Sequence, residues 1–347
     1  MKKTYFFLYY RYEKIAFLLI FIFLSSISRA NELNIYSARS EALIKPLLDI
    51  FEKENGIKVN LITGDSDILI KRLESESQNS PADIFLTIDA GALYRVKKLN
   101  LFQEIDFSFI NKKNKISKDY YDKEKKWISL SKRIRTVVYA KNLNPENLLK
   151  FEDLANVEWK GKICVRSSNN IYNQSLVASL ISNHGEEKAE VIIKNIVKNF
   201  AKKPSGNDRA QITSVANNEC NIAIINHYYY AQMLNSKEPQ EREAAKKVNI
   251  TFLNQKDRGA HVNISGLGIV KYSKNKKNAY KLISFLLRED SQVWYANINY
   301  EYPVIDGLNI NSLLGSWGKI SLDEGSINNL GNLNYKAVRL MDRVGWQ

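Results

Sequence analysis

Three consecutive tyrosines, Tyr228, Tyr229 and Tyr230, are the most unusual group of side chains in the sequence. They follow an apolar segment, residues 221–225, that predicts a strand, and a helix is predicted to begin at the tyrosines. Adjacent side chains can face one centre only where a strand turns into a helix, because a strand alternates its side chains and a helix spreads them by about 100°. The junction therefore predicts a cluster of phenol groups.

A second strand-to-helix loop, residues 166–174, carries Tyr172 among Ser and Asn side chains and is predicted to face the same crevice. The pKa of phenol is near 10, so a tyrosine becomes an anionic ligand at neutral pH only beside a strongly polarising cation such as iron(III). Three phenolates would neutralise the three charges of that ion. The alternative is that the tyrosines pack beside a cleft or stack on an organic ligand.

The elements that must position these tyrosines alternate between short β-branched strands and amphipathic helices, which predicts α/β lobes with mainly parallel sheets. A helix with apolar residues at helical spacing from residue 43 is predicted to stop at Asn55 and Gly56. Two lobes joined by a hinge are expected, and a strand at residues 262–270 is predicted to return the chain to the first lobe. The predicted strands before that are residues 33–36, 58–62, 84–87, 136–139, 163–165 and 221–225. The predicted lobes are residues 31–133 with 258–305, and residues 134–257 with 306–347.

Residues 1–30 have the pattern of a secretory signal peptide: basic residues, ten apolar residues at 15–24, and a small-x-small end at 28–30. Because a bilayer span needs about 20 apolar residues, export is predicted rather than a membrane anchor. In an oxidising compartment Cys164 and Cys220, which open two predicted strands, are expected to form a disulfide if those strands are neighbours. Two buried thiols are the alternative.

The remaining composition argues against several other functions. The formal net charge is +14, but the basic residues are scattered, without an Arg-rich helix or an aromatic ribbon, so nucleic-acid binding is not predicted. The sequence contains no P-loop, dinucleotide fingerprint, nucleophile elbow or zinc-protease motif. His184, His227 and His261 lie far apart and suggest no Ser-His-Asp arrangement. The sequence therefore indicates a binding protein, with an exported hydrolase as the alternative from another class.

These features resemble the periplasmic ferric-iron-binding proteins, which are type II solute receptors of ABC importers. The most specific segments are the loop 166–174 and the pair Tyr228 and Tyr229. The resemblance extends over nearly the whole chain after residue 30, and its other segments are residues 36–39, 80–84, 206–209, 261–266 and 301–303.

The resemblance implies the type II periplasmic binding protein fold, with a ligand cleft between two α/β lobes. It implies that Tyr172, Tyr228 and Tyr229 bind Fe³⁺ and that Arg39 holds a synergistic anion such as carbonate. It also implies a monomeric receptor that delivers iron to an inner-membrane ABC permease and its ATPase. A receptor of the same fold for an organic solute or an oxyanion is the alternative.

One segment departs from the family pattern. Family members often place His, or His followed by Tyr, directly after the segment equivalent to 36–39, where this chain has Ser40 and Glu41; this fits the subgroup that relies on three tyrosines. Another branch places a carboxylate one residue away from Asp89.

Tyr230 is expected to pack away from the site, and His261 and Asn263 are expected to form hydrogen bonds at the hinge. The residues expected to support the iron and anion ligands are Ser40, Glu41, Asp89, Ser168, Asn226 and Arg209.

Overall fold

A computed structural model describes residues 31–110, 116–310 and 312–347 of the chain. The predicted signal peptide therefore lies outside the described residues. Within these ranges no helix is long and apolar enough to cross a membrane.

Strands and helices alternate over most of the described chain. The strands are β1 (Glu32–Ser37), β2 (Lys58–Thr63), β3 (Ile84–Thr87), β4 (Ile128–Ala140), β5 (Ile163–Cys164), β6 (Ile222–Asn226), β7 (Val248–Thr251), β8 (Val262–Ile269) and β9 (Tyr302–Pro303). The α-helices are α1 (Lys45–Asn55), α2 (Ser66–Glu76), α3 (Ala90–Lys98), α4 (Ile171–His184), α5 (Glu186–Lys198), α6 (Asp208–Ala216), α7 (His227–Leu234), α8 (Pro239–Lys246), α9 (Lys276–Leu286), α10 (Glu289–Trp294), α11 (Ser312–Ser316) and α12 (Ile327–Arg343).

The described strands form one sheet in the order β2-β1-β3-β8-β4-β6-β5, with β7 and β9 also paired to β4. Strand β1 is parallel to β2 and β3, whereas β8 is antiparallel to β3 and β4. The prediction of mainly parallel sheets was wrong, because β4 and β8 run against their neighbours and make the sheet mixed.

Strand β4 is the central crossing point of the sheet. Its residues up to Ile134 pair with β8, and its residues from Arg135 onward pair with β6 and β7. The change of partners lies beside the predicted lobe boundary after residue 133. Strands β1 to β3 therefore occupy one end of the sheet and β5 to β7 the other, with β4 and β8 between them.

Capping residues determine where several helices begin and end. Asp89 caps α3 by accepting a hydrogen bond from the Ala92 N–H at 3.1 Å, and Asn170 caps α4 by accepting one from the Tyr172 N–H at 3.2 Å. Helix α1 ends at Asn55 because Gly56 adopts the left-handed conformation, with φ +62°. Local sequence thus fixes the start of the helix that carries Tyr172.

The two cysteines lie on neighbouring strands. Strand β5 pairs in parallel with β6, and Cys164 is opposite Ala223. Cys220 lies two residues before the start of β6 and is joined to Cys164 by a disulfide, with 5.9 Å between their Cα atoms. The covalent bond fastens together the two strands that lead to the tyrosines.

Candidate metal centre

The three tyrosines lie where two neighbouring strands give way to helices. Strand β6 is fully buried and leads directly into α7, whose first turn contains Tyr228 and Tyr229. Strand β5 leads through a loop into the first turn of α4, which contains Tyr172. Because the carboxyl ends of parallel strands meet at the same edge of a sheet, the two helix starts are brought together.

The phenol groups form one cluster. The Tyr228 hydroxyl donates to the Tyr172 hydroxyl at 3.4 Å, and the ring centroids of Tyr228 and Tyr229 are 4.3 Å apart. Tyr172 and Tyr228 are buried, whereas Tyr229 is half-buried. Tyr230 turns away and donates to the Val248 carbonyl oxygen at 3.2 Å. The structure thus brings Tyr172, Tyr228 and Tyr229 together and places Tyr230 apart from them, while their role as iron ligands stays a prediction.

The surroundings hold Tyr228 and Tyr229 in the protonated state when no metal is bound. Burial raises the pKa of Tyr228 well above its usual value, and the neighbouring Tyr172 and Tyr229 raise it further. Burial also raises the pKa of Tyr229, with Tyr172 and Asp208 adding to the effect. A ligand that takes these oxygens as phenolates must therefore supply a strong positive charge.

Two arginines face the ring of Tyr172. The guanidinium carbon of Arg133 lies 5.3 Å from the ring centroid, and that of Arg166 lies 5.7 Å from it. Burial alone would lower the pKa of Arg133, but Tyr172, Tyr228 and Glu301 outweigh it and raise the pKa. The two guanidinium groups can compensate negative charge on the tyrosine oxygens or on a small anion beside them.

A buried ion network lies behind the tyrosines. The Asp208 carboxylate accepts from Arg135 Nη1 and from Arg166 Nη1, each at 2.6 Å, and from the Asn226 N–H at 2.8 Å. Asn226 in turn donates from its side chain to the Tyr228 hydroxyl at 3.4 Å. Asp208 therefore fixes the last residue of β6, two positions before the first tyrosine of the pair.

A cavity of about 10 Å³ adjoins the tyrosine cluster. This volume is about that of one water-sized sphere. Among the described residues, His261 Nδ1 and the Nε atoms of Arg133 and Arg135 have no hydrogen-bond partner. The wall of the cavity is thus rich in polar groups. Its lining residues are Arg133, Arg135, Tyr172, Asn226, His261 and Asn263.

Arg39 does not present its guanidinium to the tyrosines in this arrangement. The side chain is 1% exposed and forms a two-pronged ion pair with Glu301, with N–O distances of 2.8 and 3.1 Å. It also donates to Ser265 Oγ at 2.7 Å and to the Leu43 carbonyl oxygen at 3.2 Å. These partners occupy the Arg39 donors that the sequence interpretation assigned to an anion, and anion binding by Arg39 stays a prediction.

The structure places some of the other predicted site residues in solvent and others in contacts with neighbouring side chains. Ser40 and Glu41 are exposed to solvent. The Ser168 carbonyl oxygen accepts from the Gln174 side chain at 3.0 Å and so stabilises the loop before Tyr172. Arg209 is paired with Glu241 at 2.6 Å.

Arg209 also lies close to the cluster. Its guanidinium carbon is 6.0 Å from the centroid of the Tyr229 ring, and its Nη2 donates to the Gln232 side chain at 2.9 Å. The expectation that Arg209 supports the anion loop stays a prediction; the alternative was a salt bridge, and the structure pairs Arg209 with Glu241.

His227 is a buried structural neighbour of the tyrosine pair. Its Nδ1 accepts from the Ile134 N–H at 3.1 Å, and its Nε2 lies 2.8 Å from the Tyr300 carbonyl oxygen. Burial lowers the pKa of His227 to about 4, so the ring is neutral at pH 7. Both ring nitrogens thus contact backbone groups, which leaves neither of them for a metal.

Sequence reasoning missed four charged residues of the site: Arg133, Arg135, Arg166 and Asp208. Arg133 and Arg135 could have been found from the sequence. Burying a charged residue within an otherwise apolar strand costs free energy unless the charge has a partner, so such residues indicate buried ion pairs. Residues 131–135 interrupt the apolar pattern of β4 in this way. Asp208 and Arg166 occupy loop or helix-start positions, where charge is common and carries little signal.

The described ranges offer no metal site built from His, Cys and carboxylate side chains. Residues 31–110, 116–310 and 312–347 contain no group of three or more His, Cys, Asp or Glu side chains that could hold a metal ion. The tyrosine cluster is therefore the candidate centre, and its oxygen donors suit a hard, highly charged cation.

The chain is similar to known proteins in both sequence and fold. The family described as bacterial extracellular solute-binding proteins matches residues 79–314. The chain belongs to this family. Iron uptake protein A1 of Synechocystis is 40% identical over 317 residues, which cover 91% of this chain and 88% of that protein.

Solved structures of this family share the fold over nearly the same range. The Trichodesmium protein IdiA (FutA), solved in complex with iron and citrate ligands, superposes with a TM-score of 0.86 at 46% identity and covers 91% of this chain and 100% of its own. The ferric iron-binding protein A of Mannheimia haemolytica, solved in an open conformation, gives a TM-score of 0.83 at 36% identity, with 91% and 99% covered. The type II periplasmic binding protein fold is thus confirmed.

Membership of this solute-binding family has two direct consequences. The family consists of binding proteins rather than enzymes, and its members work with ABC transporters. The expectation of a binding protein is therefore confirmed, and the alternative of an exported hydrolase is not supported.

Proposed function

We propose that the protein is a periplasmic receptor that binds ferric iron through Tyr172, Tyr228 and Tyr229 and delivers it to an inner-membrane ABC permease. The observation that carries the proposal is the convergence of three phenol groups at one sheet edge, with a 3.4 Å contact between two of their hydroxyls. The relatives named for iron uptake and for ferric iron binding support the same cargo over an organic solute.

The chemistry of the cluster favours iron(III) over a divalent ion. Three phenolates cancel three positive charges. A cation of lower charge stabilises the phenolates less and so offsets less of the free energy needed to remove protons from buried phenols. The raised pKa values of Tyr228 and Tyr229 increase that cost. Only a strongly polarising ion displaces all three protons at neutral pH.

A small anion completes the coordination in our proposal. Three oxygen ligands leave positions open on an iron(III) ion, and carbonate or a carboxylate such as citrate can fill them. Arg133 and Arg166 lie within 6 Å of the Tyr172 ring and supply the charge that such an anion needs. We therefore assign anion support to these two arginines in place of Arg39.

Delivery requires the cleft to open. In our proposal residues 31–133 with 258–305 form the first lobe, residues 134–257 with 306–347 form the second, and the lobes rotate about β4 and β8. The change of β4 partners after Ile134 marks a natural pivot. A monomer with residues 1–30 removed on export is the proposed working form, and the ATPase of the importer drives transfer.

The experiment that tests the iron site compares single tyrosine variants of the chain 31–347. Tyr229→Phe removes one oxygen ligand and should weaken iron(III) binding at least about 100-fold, because losing even an outer partner of a metal ligand typically costs about 10–100-fold. Affinity is measured by competition with citrate, with the visible absorption as the signal.

Tyr230→Phe is the matched control. It removes the hydroxyl of the next residue on the same helix, which donates to Val248 instead of facing the cluster. Iron binding should be unchanged in this variant. Equal affinities for the wild type, Tyr229→Phe and Tyr230→Phe would refute the assignment of the tyrosines as iron ligands.

A further inference from the structure

Asp89 is a buried carboxylate at the edge of the cleft that the iron site does not use as a ligand. It follows β3 and is 1% exposed. Its Oδ1 caps α3 through the Ala92 N–H, and its Oδ2 accepts from Asn263 Nδ2 at 2.6 Å and from Ser175 Oγ at 2.7 Å. Three neutral donors thus replace the water that a carboxylate would otherwise bind.

Asn263 holds Asp89 in place from the crossing strand β8. Its side-chain oxygen accepts from the Ala90 N–H at 3.1 Å and from the Ile264 N–H at 2.8 Å, while its amide group donates to Asp89. These contacts lie within the first lobe of the proposed division. The Asp89 carboxylate is therefore already oriented before any group from the other lobe reaches it.

Ser175 is the group from the second proposed lobe that contacts Asp89. It lies on α4, three residues after Tyr172, and is 1% exposed. Residues three apart on a helix lie on neighbouring positions of one face. The hydrogen bond from Ser175 to Asp89 therefore attaches the helix that carries an iron ligand to the opposite side of the cleft.

We propose that Asp89 and Ser175 form a clamp that favours the closed cleft, both in the iron-free protein and over bound iron; its effect on iron release rests on the proposed iron-receptor function. When the lobes separate, α4 leaves Asp89 and water solvates the carboxylate. The Ser175 hydrogen bond thus favours only the closed form. Ser175 and Asp89 are positioning residues: they set how long Tyr172 stays in place and leave the ligand atoms unchanged.

The size of the effect follows from the kind of bond. A hydrogen bond to a charged acceptor typically changes an equilibrium about 10-fold to 100-fold. Ser175→Ala removes this donor and keeps the helix and its packing, because only one oxygen atom is lost. The variant should therefore release iron about 10-fold to 100-fold faster than the wild type.

Ser179→Ala is the matched control. Ser179 lies one turn further along α4, is also 1% exposed, and donates to Asp323 Oδ2 at 2.9 Å. Asp323 belongs to the same lobe as α4 in the proposed division. The control thus removes an equally buried Ser–Asp hydrogen bond that does not cross the cleft.

The test measures iron release from the chain 31–347 into excess chelator by the loss of visible absorption. Ser175→Ala should release iron faster with its absorption maximum unchanged, and Ser179→Ala should release it within about twofold of the wild type. A wild-type release rate in Ser175→Ala, an equal acceleration in Ser179→Ala, or a shifted absorption maximum in Ser175→Ala would overturn the clamp.

Small-angle X-ray scattering of the iron-free proteins separates this proposal from the iron function. The clamp predicts a larger radius of gyration for Ser175→Ala than for the wild type, because fewer molecules are closed. Equal radii would refute the clamp even if the wild type binds no iron. Failure of the wild type to bind iron would instead refute the proposed function.

Discussion

Replacing Asp208 by Asn should show how strongly the ion network supports the tyrosine cluster. Asp208 is fully buried, and its partners Arg135 and Arg166 are 2% and 19% exposed. Removing one member of a buried ion pair typically costs about 3–5 kcal/mol, because the remaining charge stays buried without its partner. Asp208→Asn should lower the free energy of unfolding by about that amount.

The variant Asp67→Asn gives the matched comparison. Asp67 is also paired with an arginine, Arg95, but the two side chains are 70% and 33% exposed. Exposed ion pairs contribute about 0–1 kcal/mol, so this change should have little effect on stability. Both variants are measured by urea unfolding of the iron-free chain at pH 7, with linear extrapolation to zero denaturant.

Iron affinity provides a second measurement for Asp208→Asn. Asp208 accepts from the Asn226 N–H, two residues before Tyr228. Loosening this contact should weaken iron binding about 10-fold to 100-fold, as for other partners of metal ligands. A loss of stability no greater than that of Asp67→Asn, together with unchanged iron affinity, would refute the role assigned to Asp208.

Three further predictions follow from particular groups. Iron binding should release about three protons per ion, so affinity falls as the pH falls; calorimetry in buffers of different ionisation enthalpy should count them, and a value near zero would contradict phenolate ligation. The double variant Cys164→Ser and Cys220→Ser removes the disulfide, whose cysteines are 56 residues apart, and should lower the free energy of unfolding in urea by about 4 kcal/mol. A decrease below about 1 kcal/mol would contradict stabilisation by this disulfide. Burial, followed by the charges of Arg258 and Arg135, lowers the pKa of His261 to about 3, so the unfolded chain binds the proton first. Stability should therefore fall as the pH drops below 6.5, by about 1.4 kcal/mol per unit for this residue, and His261→Gln should reduce that slope.

Local sequence predicted the elements that carry the tyrosines because their signals are short-range. The apolar run before Tyr228 became β6, and the Asn-Gly pair ended α1 where expected. The segment 166–174 became a loop and the first turn of α4, with Tyr172 in that turn. Periodicity and capping depend on neighbouring residues, so the positions of Tyr172, Tyr228 and Tyr229 could be predicted.

Long-range pairing explains what could not be predicted. Arg39 finds its carboxylate partner Glu301 262 residues further along the chain, and no local pattern indicates such a contact. Strand β4 was expected only over residues 136–139 because polar residues at 131–133 interrupt its apolar pattern. Those residues are buried because β4 crosses the centre of the sheet, where other segments supply partners such as Glu301 for Ser131.

The C-terminal helix α12 was missed for a related reason. Its apolar residues Ile327, Leu330, Ala337 and Leu340 recur at helical spacing, but the segment also contains several Asn residues, which have low helix propensity. The helix is stabilised by packing against α4 and α3, and Gly331 allows its backbone to approach Tyr94 closely. Tertiary packing therefore outweighs local propensity in this segment.

A spectrophotometric iron titration tests directly whether the three tyrosines bind iron(III). The chain 31–347 is stripped of metal and titrated with ferric citrate, with and without added bicarbonate, while the visible spectrum is recorded. We expect a phenolate-to-iron charge-transfer band that saturates at about one iron per chain and is lost in Tyr229→Phe. A protein that stays colourless and whose melting temperature does not change with iron would contradict iron binding by the tyrosines.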